Sequence, residues 1–185
     1  MITHEHALEL IRQHVTTDNT KKHLLATEAL MRALAQKFNE DEDRWGITGL
    51  LHDLDLDITK HELHKHGIVG YDMLQHEDMD EEMRTAIKKH NYMLEIEPET
   101  LLEKALYVTE SMTGFIVAVT LMQPTKKLAD VGVSSIVKKW KDKKFAGGVN
   151  RSIVEKSQTM LGMSVEEVAA ICLQAMQGIH EEMGL

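Results

Sequence analysis

Cysteine is almost missing. Cys172 is the only one in 185 residues, so an internal disulfide is impossible and a cysteine-built zinc site has too few thiols. Proline is nearly as scarce, with only Pro98 and Pro124 to interrupt regular structure. Positive charge is short: 21 Lys and Arg face 30 Asp and Glu, for a net charge of −9. That deficit argues against nonspecific nucleic-acid binding, which depends on neutralising phosphates, and against an anionic membrane surface as the main partner. No apolar stretch reaches membrane-spanning length; the longest, "MTGFIVAVTLM", is too short and lies mid-chain. The opening "MITHEHALELIRQHV" has no apolar core of signal-peptide length, so the expected location is the cytoplasm.

What is present is helical composition: Met, Leu, Ala, Glu and Lys throughout, 43% hydrophobic and 28% charged residues. The length suits a single domain over residues 1–185. Apolar positions recur at helical spacing over about 3–15 (Ala7, Leu8, Leu10, Ile11) and 20–38 (Leu24, Leu25, Ala29, Leu30, Ala33, Leu34, Phe38). The same pattern predicts helices near 42–53, 62–76, 79–91, 99–121, 131–141, 150–160 and 164–183. "SVEE" at 164–167 reads as a capping box, and "EPETLLEKAL" sets Pro98 and acidic residues at a helix start. No run reads as a strand. The expected fold is all-α. The sequence carries no signal of oligomeric state.

The concentrated chemistry lies in "GITGLLHDLDLDITKHELHKHGIVGYDML", residues 46–74. His52 and Asp53, adjacent at the end of an apolar segment, can converge on one cation beyond a helix terminus. Imidazole with carboxylate suits Mn, Fe, Co, Ni, Zn or Mg. Such a pair alone is more commonly a solvated helix end. The run Asp53, Asp55, Asp57 looks like the start of a calcium loop, but Ile58 stands where that loop needs Gly and His64 where it needs Glu. Asp55 and Asp57 are candidates for orienting a ligand histidine or serving as general base.

Upstream, His23 sits mid-helix in "KKHLLATEALMRALA". After "GLLHDLD" come "HKHGIVGYDML", "AIKKHN" and "ALYVTESMTGFIVA". In this order the segments resemble the HD-domain superfamily, over about residues 20–120. "GLLHD" after an upstream helical histidine is the most specific element. The tail, 121–185, looks like the helical extension of a group of small bacterial HDIG-type proteins whose substrates are largely unassigned. The resemblance implies a compact orthogonal helical bundle of the HD-domain type. It makes His23, His52 and Asp53 ligands of one divalent metal. The family's closing ligand is an aspartate; here the matching place holds Glu110, one methylene longer. Members with two metals add two histidines, matched here by His66 and His90, with Asp53 bridging.

Lys138, Lys139, Lys141, Lys143 and Lys144 surround Trp140. The bland reading is a solvated helix face with Trp140 inward; the sharper one has Lys144 or Arg151 folding back to hold an anionic substrate. The expected activity is a metal-dependent phosphohydrolase, with Asp53 or Asp57 accepting the proton and a small phosphorylated metabolite or nucleotide as substrate. A di-iron oxygenase and a non-catalytic metal- or nucleotide-binding protein use the same residues and remain the rivals.

Overall fold

A computed structural model describes residues 1–185. It is all-α, with no residue in a strand. The helices are α1 (His4–His14), α2 (Asp18–Phe38), α3 (Glu42–Leu51), α4 (Leu56–Thr59), α5 (Ile68–Met73), α6 (Glu81–Lys89), α7 (Leu101–Thr109), α8 (Ser111–Leu121), α9 (Val133–Trp140), α10 (Arg151–Glu155), α11 (Ser157–Met160), α12 (Val165–Gly178) and α13 (His180–Met183).

The centre is the α2–α3 pair. Asp41 caps α3 by accepting from the Arg44 N–H at 2.9 Å. From Trp45 to Leu51 every residue of α3 is buried, because α1, α2 and α6 all pack on it. Close approach to α2 depends on Gly49. A Cβ there would stand 2.8 Å from the Thr27 carbonyl oxygen. The apolar side chains of α2 that meet α3 and the later helices are Leu24, Leu30, Met31 and Leu34, all fully buried. Each contributes roughly 1.5–3 kcal/mol through that burial.

Four expected helices are interrupted, each for a local reason or at a single residue. The predicted 62–76 helix is reduced to α5. Gly67 adopts φ +81°, and a Cβ there would meet the Lys88 carbonyl oxygen at 2.8 Å. The predicted 99–121 helix breaks at Glu110, where the Thr113 hydroxyl takes the Glu110 carbonyl at 2.8 Å. The 150–160 and 164–183 segments break at Lys156 and Ile179. The cap on α12 falls as the sequence indicates, and α7 adds one that the sequence reading did not name. Ser164 with Glu167 forms a capping box on α12, and Thr100 with Glu103 forms one on α7, just beyond Pro98.

The C-terminal third is joined to the rest through α12, which packs on α2, α8 and α9. Trp140 is buried with its ring 4.9 Å from that of Phe115. No single helix is long and apolar enough to cross a membrane.

Candidate metal centre

The site forms where helix ends meet. His23 projects from the second turn of α2, and His52 ends α3 with Asp53 directly after it. His66 precedes the Gly67 turn into α5, His90 ends α6, and Glu110 occupies the break between α7 and α8. Four of these five segments contribute at or beside a helix terminus, and α2 contributes from its second turn.

Each histidine is held by its Nδ1. In His52 it donates to the Gly49 carbonyl at 2.7 Å, and in His90 to the Ile87 carbonyl at 2.5 Å. In His66 it donates to Asp55 Oδ1 at 2.8 Å. These partners only accept, so the proton sits on Nδ1. His23 Nδ1 lies 2.8 Å from the Thr113 hydroxyl, whose own proton goes to the Glu110 carbonyl. That hydroxyl therefore accepts from His23. In the neutral form of each ring, the form that binds a metal, Nε2 is left with a bare lone pair.

Those lone pairs face one another. His23 Nε2 and His52 Nε2 are 3.1 Å apart, and His66 Nε2 and His90 Nε2 are 3.0 Å apart. Two unprotonated acceptors at that distance repel unless a cation lies between them. Nitrogens about 2.0–2.1 Å from one ion stand about 2.8–3.4 Å apart at octahedral or tetrahedral angles, so the spacing fits a metal's ligand set. Asp53 touches both pairs. Oδ2 is 3.6 Å from His23, and Oδ1 is 3.4, 3.0 and 3.2 Å from His52, His66 and His90. Two triads result, His23–His52–Asp53 and Asp53–His66–His90, with the carboxylate common to both. Glu110 Oε2 reaches to 3.4 Å from His23 Nε2, and its other oxygen accepts from the Ser111 hydroxyl.

The electrostatics favour cations. Burial holds the His52 pKa down, to about 4, against the pull of Asp53. Burial also disfavours charge on Asp53, yet His52, His66 and His90 outweigh it and keep the carboxyl well below the usual range. The same contest on His66 goes the other way. Burial opposes its charge, but Asp53 and Asp55 together push it up to about 10. Burial likewise opposes charge on both His23 and Glu110, and their mutual contact wins, raising His23 and lowering Glu110.

The cluster opens through a mouth of about 150 Å³ lined by Asp53, His66, His90, Asn91, Tyr92 and Glu110. Asn91 and Tyr92 escaped the sequence reading, although they follow His90 directly. Asn91 Nδ2 donates to the carbonyls of Leu63 and His66 at 2.8 and 3.0 Å, fixing the turn that carries His66.

Three residues expected at the site stand elsewhere. Asp57 lies outside the cluster: both its oxygens accept from the backbone N–H and hydroxyl groups of Thr16 and Thr17, at 2.6–3.0 Å, at the entry to α2. Arg151, expected at the substrate, is engaged elsewhere. Its guanidinium donates to the carbonyls of Trp140, Asp142 and Phe145 and lies across the rings of Phe115 and Trp140. Lys144 is exposed in the turn after α9, and neither residue lines the mouth. Asp55, by contrast, is fully buried and orients His66, one of the roles open to it from the sequence. Of the remaining histidines, His4, His6, His61, His64, His76 and His180 are exposed and His14 is half-buried.

A protein-family model described as the HD domain matches residues 20–114, just over half the chain. The chain belongs to the HD-domain family. Its all-α architecture is the one this family adopts, and the pair His52–Asp53 is the one that names it. HD domains bind divalent metals, and the superfamily is one of metal-dependent phosphohydrolases. All six clustered residues fall inside the matched segment, whereas residues 115–185 lie beyond it. No curated protein and no solved structure matches the chain significantly.

Proposed function

We propose that the chain is a cytoplasmic metal-dependent phosphohydrolase acting on a small phosphorylated metabolite or nucleotide, as one HD-type unit of residues 1–185. One observation carries the reading: four Nε2 lone pairs, each fixed by its own Nδ1 bond, converge on a shared buried carboxylate beneath a small mouth. Divalent ions of the Mn, Fe, Co, Ni, Zn or Mg type, one or two per chain, supply Lewis acidity toward a phosphoryl oxygen and lower the pKa of water.

The residues divide the work. His23, His52 and Asp53 hold the first ion, with Glu110 closing the set from the rim. His66 and His90 share Asp53 and hold a second ion or the phosphate. Asp53 and Glu110 are the only carboxylates lining the mouth, so they are the proton acceptors within reach of a reacting group. A mouth of about 150 Å³ is smaller than ordinary small-molecule pockets of roughly 300–1,000 Å³, so it admits only the reacting end of a substrate.

The test is metal analysis of protein purified without chelator, then a phosphomonoester panel with Mn, Co, Ni and Mg. His52→Ala is expected to lose most of the metal with helical content intact. Combined His66→Ala and His90→Ala is expected to keep about one ion and lose turnover. Full metal in His52→Ala overturns the reading. Iron with oxygen consumption, or tight ligand binding without turnover, turns it to one of the two rivals.

A further inference from the structure

On the far side of His23 lies a second cavity, between α2 and α8, of about 370 Å³. It falls in the usual range for small-molecule sites, and the mouth over Asp53 does not. Its wall is apolar: Ala26, Val117 and Leu121, with Met183 and Leu185 closing one end. Polar atoms are confined to Asn19, Lys22, His23 and Thr113. No acidic side chain lines it, in a chain of net charge −9, and Lys22 is its one cation. No Phe, Tyr or Trp lines it either, so a base has no ring to stack on.

The cavity and the mouth are separate openings, and the partly exposed side chains of His23 and Glu110 lie between them. His23 lines the cavity while its Nε2 faces His52, and Thr113 bonds its Nδ1 from the cavity side. Glu110, at 3.4 Å from His23, lines the mouth. Between them α8 carries Gly114, exposed, where an added Cβ meets nothing within 4 Å. A helix-interior glycine costs about 1 kcal/mol relative to Ala, and here its effect is to leave the α2–α8 groove open.

We propose that this groove receives the apolar body of the substrate, so that the substrate class is a phosphate monoester of a compact aliphatic alcohol rather than a nucleotide. The inference rests on the phosphohydrolase reading. The phosphate is held at the cluster and the aliphatic body lies beyond His23 and Thr113 along Gly114, Val117 and Leu121. Lys22 at the rim contributes attraction for the anionic ligand as a whole.

The experiment uses n-alkylphosphonates from ethyl to octyl, which cannot be hydrolysed, titrated by calorimetry into the manganese-loaded protein. A parallel series of n-alkyl phosphates and nucleoside monophosphates is assayed for turnover. Affinity and kcat/KM are expected to rise about three- to fourfold per methylene until the groove is filled. Gly114→Leu, with circular dichroism as the check on folding, is expected to flatten that dependence, because its side chain occupies the groove. Affinity independent of chain length, or a Gly114→Leu series that tracks the parent, overturns the inference. Equal turnover of short and long esters sinks the groove but leaves the hydrolase. Chain-length-dependent phosphonate binding with no ester hydrolysed sinks the hydrolase but leaves the groove.

Discussion

Asp55 and His66 form a fully internal pair: His66 Nδ1 donates to Asp55 Oδ1 at 2.8 Å, and Oδ2 accepts the Gly67 and Gly70 N–H groups at 2.9 and 3.0 Å. One carboxylate thus sets the ring and the turn that carries it. Asp55→Asn cannot do both, because its amide NH₂ meets either two backbone donors or the His66 N–H. A buried donor left unpaired costs about 1–3 kcal/mol. Loss of such an orienting partner typically weakens metal binding by about 10–100-fold. The expected outcome is a lower melting temperature and loss of metal bound through His66 and His90, with His23–His52–Asp53 still loaded. Unchanged metal stoichiometry and affinity in Asp55→Asn refutes the orienting role.

Gly49 links packing to the site, since its carbonyl holds His52 while its missing Cβ lets α3 approach Thr27. Gly49→Ala drives a methyl against backbone at 2.8 Å, and α3 must move. Overpacking of this kind costs about 1–3 kcal/mol. In a chain of this size that lowers Tm by several degrees. Because the shift is transmitted to His52, metal affinity is expected to fall as well. Gly114→Ala is the control: its Cβ meets open space, so the helix gains and Tm holds or rises. Equal melting of the two variants would show that α3 has room to spare.

The order His23, His52–Asp53, His66, His90, Glu110 is legible in the chain, and the structure gathers those six residues around one point. Adjacency made His52–Asp53 visible, and helical periodicity gave the frame that brings it near His23. The Asp53–Asp55–Asp57 run was harder to read. Alternating carboxylates leave a turn in different directions, so Asp55 goes inward to His66 while Asp57 goes out to Thr16 and Thr17. Thr113 had no sequence signal, because a hydroxyl in mid-helix ordinarily bonds its own backbone; here it does that and accepts from His23 too. The partners of Arg151 were not legible, because charge alone does not reveal that the carbonyls of the preceding loop are aimed at it.

Metal and protons compete for the same nitrogens, which fixes a pH dependence. Without metal, the His66 pKa is raised from 6.5 to about 10 by Asp53 and Asp55 against the cost of burial. A raised value means stability fully present below the unfolded pKa and lost as pH rises through the folded one. The chelator-stripped protein should therefore lose stability between about pH 6.5 and 10. A metal must displace that proton, so its affinity rises over the same window. The difference in Tm between manganese-loaded and stripped protein is expected to widen from pH 6.0 to 8.5. A gap that narrows as pH rises would mean that the ion does not bind where His66 holds its proton.

Glu110 tests whether the longer carboxylate is suited to its place. Its backbone is fixed at the α7–α8 break, where its carbonyl is taken by Thr113. From there Oε2 already comes within 3.4 Å of His23 Nε2, a separation suited to two ligands of one ion. A carboxylate oxygen must lie about 2.0–2.2 Å from a zinc-like ion. Removing one methylene withdraws the oxygen by about 1 Å on ordinary bond lengths, and the Thr113–His23 bond ties this turn to α2, so the helix resists following. Glu110→Asp is therefore expected to bind metal more weakly than the parent, although it restores the family's aspartate, and Glu110→Ala more weakly still. Metal titration of the three proteins reads the order directly. Affinity in Glu110→Asp above the parent would show that the α7–α8 junction yields, and equal affinity in Glu110→Ala and the parent would remove Glu110 from the ligand set.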